Sequence, residues 1–136
     1  MPRYEKDVTI EDPDRDRGKV FHLREMSATQ GERWAIRALQ AAARAGVDIP
    51  EHVIAQGMAA VAAVGIRGLM ASPFYELEPL LDEMFACITV KPDRANPDVS
   101  RALVEDDIEE IRTRITLRFE VLKLHTDFSQ AGVPSK

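Results

Sequence analysis

Few residues of this chain have the side chains and spacing that catalysis or metal binding requires. The histidines are His22, His52 and His125, which stand far apart in the sequence. Neither the zinc motif H-E-x-x-H nor the pair C-x-x-C occurs, although histidine and cysteine are the ligands that such sites need. We therefore expect each histidine to have a core or surface role, and we expect no bound metal ion.

Cys87 is the single cysteine and would act as a nucleophile only in contact with an activating group such as a histidine. It stands between Ala86 and Ile88 in an apolar run, where a cysteine is usually buried and inert. A single cysteine forms no intramolecular disulfide, which fits a reducing cytoplasm. The sequence thus favours a packing role for Cys87.

Adjacent carboxylates could act as a general acid and base or bind a cation. The pairs Asp82-Glu83 and Glu109-Glu110 lie in segments with the spacing of amphipathic helices, so we expect solvated helix faces. The acidic run at 105–107 lacks the glycine turn and alternating ligands of a calcium loop. No glycine-rich phosphate loop occurs either. The sequence therefore predicts a protein that is not an enzyme, needs no cofactor and works by binding another protein.

Length and composition indicate one globular domain. The chain has 136 residues, of which 45% are apolar and 30% are charged, which suffices for one core without disulfides or metal. We expect a single domain over residues 1–136, with a hairpin region at 1–25, a helical body at 26–128 and a loose tail at 129–136.

Charge and hydropathy limit the partners and the location. A formal net charge of −5 is unfavourable for binding nucleic acid or an anionic membrane, which need concentrated positive charge. No apolar run reaches the roughly 18 residues of a membrane span, and the N-terminal residues lack the apolar core of a secretory signal. We expect a soluble protein of the host cytoplasm, in a bacterial or phage-infected cell, that binds neither nucleic acid nor membrane.

Two segments with strand character flank a charged loop at residues 11–18. One covers residues 7–10, and in the other, at 19–23, the side chains alternate with a period of two. Two such segments around a polar loop predict an N-terminal β-hairpin. Further short strands are expected at 88–90 and 99–103.

About four helices are expected after the hairpin. The first begins after Ser27, a good N-cap residue, and ends near Gly46. The second, nearly uncharged, runs from about residue 49 to 70 and is expected at the centre of the core. The third ends near residue 86, with Pro79 as an alternative first residue that would shorten it. The fold class is thus α+β and mostly α-helical, with a long last helix.

The last helix is predicted over about residues 105–128, because negative charge at 105–107 favours a helix N-terminus. Its apolar residues form two stripes. The narrower stripe, which includes Ile108, Ile111 and Ile115, would suffice to close a core. The second stripe widens the apolar arc in the C-terminal half, and we expect it to bind another protein. Its members are Leu117, Val121, Leu124 and Phe128. The uncharged second helix is another candidate binding face, and the alternative is that it and the apolar arc of the last helix both belong to the core.

Three runs of the sequence resemble one known family. They are GERWAIRALQAAARAGVDIP at 31–50, LEPLLDEMFACI at 77–88 and LVEDDIEEIRTRITLRFEVLKLHTDF at 103–128. These runs resemble tail assembly chaperones of long-tailed, siphovirus-like phages and prophages, and the resemblance covers residues 20–128. It implies a non-enzymatic protein without a cofactor that holds the tape-measure protein soluble before the tail tube polymerises around it.

The same resemblance implies self-association into a homo-oligomer. It also implies a longer, frameshifted form whose extra C-terminal domain recruits tail-tube subunits. No family motif marks individual binding residues in this sequence, so none is assigned from the resemblance. The binding face proposed above rests on helical spacing alone.

Two other functions compete with the chaperone hypothesis. The chain could be a structural phage component, such as a head–tail connector or tail-terminator subunit, or a small enzyme with an unrecognised site. A chaperone gene should lie between the genes of a major tail protein and a very long tape-measure protein, whereas a connector gene should lie nearer the capsid genes. An enzyme would need a deep pocket with perturbed ionisable groups.

Overall fold

The computed structural model describes residues 3–46, 51, 71–93 and 95–131, with side chains up to residue 125. Its elements are, in chain order, strands β1 (Glu5–Thr9) and β2 (Val20–Arg24), helices α1 (Ala28–Arg44) and α2 (Phe74–Phe85), strands β3 (Ile88–Lys91) and β4 (Arg101–Ala102), a 3₁₀ turn (Glu105–Asp107) and helix α3 (Ile111–Ala131). The described residues thus form an α+β fold, as the sequence predicts, with three helices and a four-stranded sheet. The expected helix at 49–70 lies outside the described residues.

The chain divides into two compact units, which are described separately below. The first unit contains Met1–Glu25 and Met84–Leu124, and the second contains Met26–Glu83 and His125–Lys136. All four strands belong to the first unit, whereas α1 belongs to the second.

The sheet of the first unit is antiparallel throughout, in the order β1-β2-β3-β4. The predicted hairpin of β1 and β2 is present, with Asp7 opposite His22. β3 then pairs with the other edge of β2 and places Val90 opposite Phe21. The hairpin is therefore half of a larger sheet, because the two short strands expected near residues 88 and 101 extend it.

Side-chain alternation in β2 separates a buried and a polar face of the sheet. Phe21 and Leu23 are fully buried, and on β3 the side chains of Ile88 and Val90 are buried as well. Between them His22 points to the opposite face, as the period of two requires. The apolar face supplies the core of the first unit.

Helix α1 of the second unit begins where the sequence predicts. The Ser27 hydroxyl accepts a 3.2 Å hydrogen bond from the Gln30 backbone N–H, which satisfies one of the free donors at the helix start. Trp34 is buried, as are several alanines on the same face. Gly46 follows the helix end with a φ of 91°, the left-handed conformation that favours glycine at this position.

Helix α2 contains Pro79 in its interior, so the alternative that Pro79 is the first helical residue is wrong. The helix starts earlier because the Pro73 carbonyl accepts backbone N–H groups from Glu76 and Leu77. Within the second unit, the Trp34 indole N–H donates a 2.9 Å hydrogen bond to the Leu80 carbonyl. This bond ties α2 to α1 one residue after the proline.

Helix α3 begins six residues later than the acidic run that was expected to open it. Residues 105–107 form a separate 3₁₀ turn, and the Asp107 carboxylate accepts the Val104 backbone N–H at 2.7 Å. The Arg101 guanidinium also donates to that carboxylate, at 2.7 and 2.8 Å. Because Asp107 is used to close this turn, Ile108 is extended and the helix starts at Ile111.

Among the described residues, none of the helices has the length and the apolar character needed to cross a membrane.

Candidate functional site

The stripe expected to bind a partner forms the buried face of α3. Leu117, Val121 and Leu124 are 0%, 1% and 1% exposed, and the side chain of Phe128 lies outside the described residues. The expected surface is therefore incorrect for its three described members. The reason is packing, since a stripe that fills the core leaves no area for another protein.

The exposed apolar residues of α3 lie on its other face. Ile111, Ile115 and Phe119 are 77%, 50% and 57% exposed, and their spacing of four residues aligns them along the helix. We call these three residues the α3 stripe. The sequence had assigned Ile111 and Ile115 to the core, so the structure reverses the roles of the two faces. A stripe of three large exposed apolar side chains is the feature expected of a protein-binding surface.

The orientation of α3 is set by a buried carboxylate from the loop between β1 and β2. Asp16 is fully buried, and its carboxylate accepts the backbone N–H groups of Glu109 and Glu110 at 2.9 to 3.1 Å. It also accepts the Thr113 hydroxyl at 2.6 Å and the Lys19 ammonium at 2.9 Å. Asp16 thus caps α3 from a distant part of the chain.

The hydrogen bonds to Asp16 also fix its charge. Burial raises the pKa of this carboxyl, but the bonds from Thr113, the Glu109 backbone and Lys19 outweigh that effect and lower the pKa to about 2. The carboxylate is therefore ionised at neutral pH, as a helix N-terminus favours. Position and charge together anchor the first turn of α3.

Two more ion pairs hold α3 to the hairpin of the first unit. Arg15 donates to the Glu110 carboxylate at 2.9 Å and to the Glu109 carbonyl at 2.9 Å. Further along the helix, the Lys6 ammonium lies 2.6 Å from the Glu120 carboxylate. With Asp16, these contacts determine which face of α3 points outward.

A groove with apolar and charged lining residues lies in the same unit, beside the first turns of α3. Its volume is about 400 Å³, and residues before α3 supply most of its wall. Its lining side chains include the apolar Phe85, Ile88, Leu103, Val104 and Ile108 and the charged Glu105 and Arg114. Arg114 is the only α3 residue among these lining side chains, and it stands three residues after Ile111 and one before Ile115. Residues three apart are neighbours on a helix surface, so the groove and the α3 stripe adjoin.

Arginines stand at the border between the groove and the stripe. The guanidinium carbons of Arg114 and Arg118 lie 4.3 and 4.5 Å from the centroid of the Phe85 ring. At this distance a cation is attracted to the negative face of the ring. Phe85 therefore holds two positive charges beside the apolar stripe.

His22 is held between two carboxylates on the polar face of the sheet. Its Nδ1 lies 2.7 Å from Asp7 and its Nε2 lies 2.6 Å from Glu5. Ionised carboxylates only accept hydrogen bonds, so both ring nitrogens donate and the ring is an imidazolium. Burial lowers the pKa of His22, but the bonds to Asp7 and Glu5 outweigh that effect and raise it. This cluster stabilises the sheet and presents no nucleophile.

The other residues with catalytic side chains have structural contacts. His125 Nε2 accepts the Met26 backbone N–H at 2.9 Å, and both residues lie in the second unit. Cys87 is buried, and its carbonyl accepts the Arg24 backbone N–H in the first unit. His52 lies outside the described residues, among which no group of three or more His, Cys, Asp or Glu side chains could hold a metal ion.

The acidic pairs singled out in the sequence are engaged with arginines. Glu83 pairs with Arg37 within the second unit, and Glu110 pairs with Arg15 within the first. Asp82, which precedes Glu83 in the sequence, is exposed. Glu83 is therefore an ion-pair partner on a helix face, as expected. The expected helix face at Glu109 and Glu110 is wrong, because both residues precede the first residue of α3.

No protein-family model, curated protein or solved structure matches the chain.

Proposed function

We propose that this protein is a non-enzymatic tail assembly chaperone that binds the tape-measure protein of its phage and keeps it soluble. The observation that carries the proposal is the α3 stripe, Ile111, Ile115 and Phe119, which stands at least half exposed on a fixed helix. A long, helical and aggregation-prone partner must have its own apolar helix faces covered before assembly. An exposed stripe beside a groove suits that task, because an amphipathic helix binds by laying its apolar face into such a surface.

The binding surface in this proposal is the α3 stripe and not the buried stripe that includes Leu117. Burial of one large apolar side chain contributes about 1.5–3 kcal/mol. Burial of three such residues, together with the apolar side chains that the partner buries against them, supplies enough free energy for reversible capture. Reversibility is required because the tail tube must later replace the chaperone around the tape measure.

The test is co-expression with the tape-measure protein of the same phage, followed by affinity purification. The wild-type chain should raise the soluble fraction of the tape measure and elute with it. The double variant Ile115→Ser/Phe119→Ser should lose most of this capture while its circular dichroism spectrum and its unfolding midpoint stay close to wild type.

A matched control replaces two exposed apolar residues of the other unit. Phe74 and Tyr75 are 64% and 76% exposed, so Phe74→Ser/Tyr75→Ser removes a similar exposed area without touching α3. This control should capture the tape measure as well as wild type does. A wild-type chain that never captures the tape measure would refute the chaperone proposal, and the connector or terminator hypothesis would then replace it.

Self-association is part of the same proposal, and so is recruitment of tail-tube subunits by a longer form. β1 is an end strand of the sheet, and such edges can pair with another strand. Charges at Glu5, Lys6 and Asp7 disfavour pairing of β1 with β1 of a second copy, since two Asp7 side chains would meet at the centre of the pairing. Light scattering at increasing concentration measures the oligomer directly, and a strict monomer would remove this part of the proposal.

A further inference from the structure

We infer that the α3 stripe and the adjoining groove bind an amphipathic helix whose apolar residues are flanked by carboxylates. This inference rests on the proposed function, since it specifies the chemistry of the partner segment. Its basis is the charge of α3 around the stripe, the weak ion pairing of Arg112 and Arg114 among the described residues, and the position of the groove.

Positive charge is concentrated around the α3 stripe. From Ile111 to Leu124 the helix has one acidic residue, Glu120, against four basic ones: Arg112, Arg114, Arg118 and Lys123. The chain as a whole has a net charge of −5, so this helix is opposite in sign to the rest. The helical period places Arg114 and Arg118 along one side of the stripe and Arg112, with Glu120, along the other. Lys123 follows Phe119 by four residues and continues the line of the stripe.

Among the described residues, the carboxylates that Arg112 and Lys123 approach lie at long distances. Glu120 is shared between Lys6 at 2.6 Å and Lys123 at 3.6 Å. Arg112 approaches Asp12 only to 3.6 Å, and its side chain is 64% exposed. That distance is longer than a hydrogen bond, so the ion pair between Arg112 and Asp12 contributes little to the stability of the fold.

Arg114 is the best-placed cation for a partner. Its guanidinium lies against the Phe85 ring, and among the described residues no carboxylate pairs with it. It lines the groove and stands between two stripe residues in the sequence. A carboxylate on the partner helix would reach Arg114 while an apolar side chain in the same turn of that helix enters the groove.

The groove fits an apolar side chain of that helix. Its volume of about 400 Å³ falls within the usual range of small binding pockets. Val104, one of its lining residues, is 60% exposed, so the groove is accessible from solvent. An apolar anchor in a groove with a charged rim is the usual arrangement of a helix-binding surface.

Two other occupants are disfavoured by the same charges. A second copy of α3 laid antiparallel on the first would place the side with Arg114 and Arg118 against the same side of its copy, and like charges across an interface are repulsive. An anionic membrane would attract Arg112 and Arg114 but repel Glu105 and Asp106, which are exposed at the helix approach. A helix can place its carboxylates beside Arg112 and Arg114 and away from Glu105, which lines the groove, whereas a flat membrane surface cannot avoid the acidic residues.

The experiment uses two labelled synthetic helices and the full-length protein. Both peptides have about 20 residues, enough to form helix, and share the same Leu and Phe positions at spacings of three and four. One has Glu and the other Lys at the flanking positions. Fluorescence anisotropy should show the Glu peptide binding at least about tenfold tighter at ~50 mM salt, with the preference shrinking at ~500 mM salt.

Charge reversal identifies the residues responsible. Arg112→Glu/Arg114→Glu should lose the Glu peptide and gain the Lys peptide. The control Arg17→Glu/Arg33→Glu changes the net charge equally at exposed arginines outside α3 and should leave the preference unchanged. Arg114→Gln, which removes the positive charge without introducing a negative one, should reduce the preference without reversing it. Circular dichroism of each variant verifies that the fold persists.

Four results would overturn the inference. They are equal affinity for the two peptides, binding of neither peptide, binding only to vesicles of phosphatidylcholine and phosphatidylserine, and a dimer that Arg112→Glu/Arg114→Glu strengthens. The outcomes separate this inference from the proposed function. Capture of the tape measure without peptide discrimination leaves the chaperone proposal intact, whereas discrimination without capture refutes the tape measure as the partner.

Discussion

The Asp16 carboxylate accepts a 2.6 Å hydrogen bond from the Thr113 hydroxyl, although 97 positions separate the two residues in the sequence. Thr113 lies in the first turn of α3, and the same carboxylate accepts the backbone N–H groups of Glu109 and Glu110 just before it. A residue of the β1–β2 loop thus does what a local N-cap residue usually does. The outward direction of the α3 stripe depends on this contact.

Replacing Asp16 should destabilise the fold strongly. In Asp16→Asn an amide nitrogen occupies one of the two acceptor positions and faces N–H donors, and the negative charge at the helix start is lost. We expect a loss of about 2–4 kcal/mol in the free energy of unfolding, measured by urea denaturation. Asp98→Asn at an exposed position should change it by less than about 0.5 kcal/mol. Equal effects of the two substitutions would contradict the capping role of Asp16.

The stability of the protein should fall in acid over a range set by Asp16. Its pKa is about 2 in the folded chain and 3.8 ordinarily, so the folded state favours the ionised form. The resulting stabilisation, about 2.5 kcal/mol, is complete above about pH 4 and is lost as the pH falls through about 2. The difference in unfolding free energy between wild type and Asp16→Asn should therefore shrink over this range. A difference that stays constant down to about pH 2 would exclude this assignment.

Local signals in the sequence predicted the elements whose partners are close in the chain. Ser27 caps α1, and the alternation around Phe21 marks β2, because both depend on a few neighbouring residues. The start of α3 could not be predicted in this way. Negative charge at 105–107 favours a helix start on its own, but Asp107 closes a separate turn and the capping carboxylate of α3 comes from Asp16.

The candidate site failed to emerge from the sequence for a related reason. Helical spacing identified both apolar stripes of α3 but contains no information about which one is buried in the fold. The choice is made by tertiary contacts, above all those of Asp16 with Thr113 and of Lys6 with Glu120. One local signal was present, since Thr113, the anchor of the helix, lies on the same face as Leu117 and Val121.

His22 should stabilise the protein only while its ring is charged. Its pKa is raised by Asp7 and Glu5 above the ordinary value, so its contribution is complete below about pH 6.5 and is lost as the pH rises through the raised value. His22→Gln should therefore cost more unfolding free energy at about pH 6 than at about pH 9.

A test in a second mutant background isolates the pH-dependent contribution of His22 to the free energy of unfolding. In the background Glu5→Gln/Asp7→Asn the ring has no carboxylate partners on β1, so His22→Gln should lose its pH-dependent cost there. The measurement is urea denaturation at each pH, with circular dichroism as the signal that monitors unfolding. A cost that persists unchanged in this background would show that other groups raise the pKa of His22.

Two alanine substitutions two residues apart on α3 should have opposite consequences. Leu117 is fully buried, whereas Ile115 is 50% exposed. Leu117→Ala creates a cavity and should lower the unfolding free energy by about 2–5 kcal/mol, so any loss of tape-measure capture would follow from unfolding. Ile115→Ala should lower it by less than about 1 kcal/mol and yet weaken capture, because its side chain meets the partner and not the core. Phe119→Ala should behave like Ile115→Ala. If Ile115→Ala destabilises the chain as much as Leu117→Ala does, the α3 stripe is packed against protein in the free chain, and the surface on which both proposals depend does not exist.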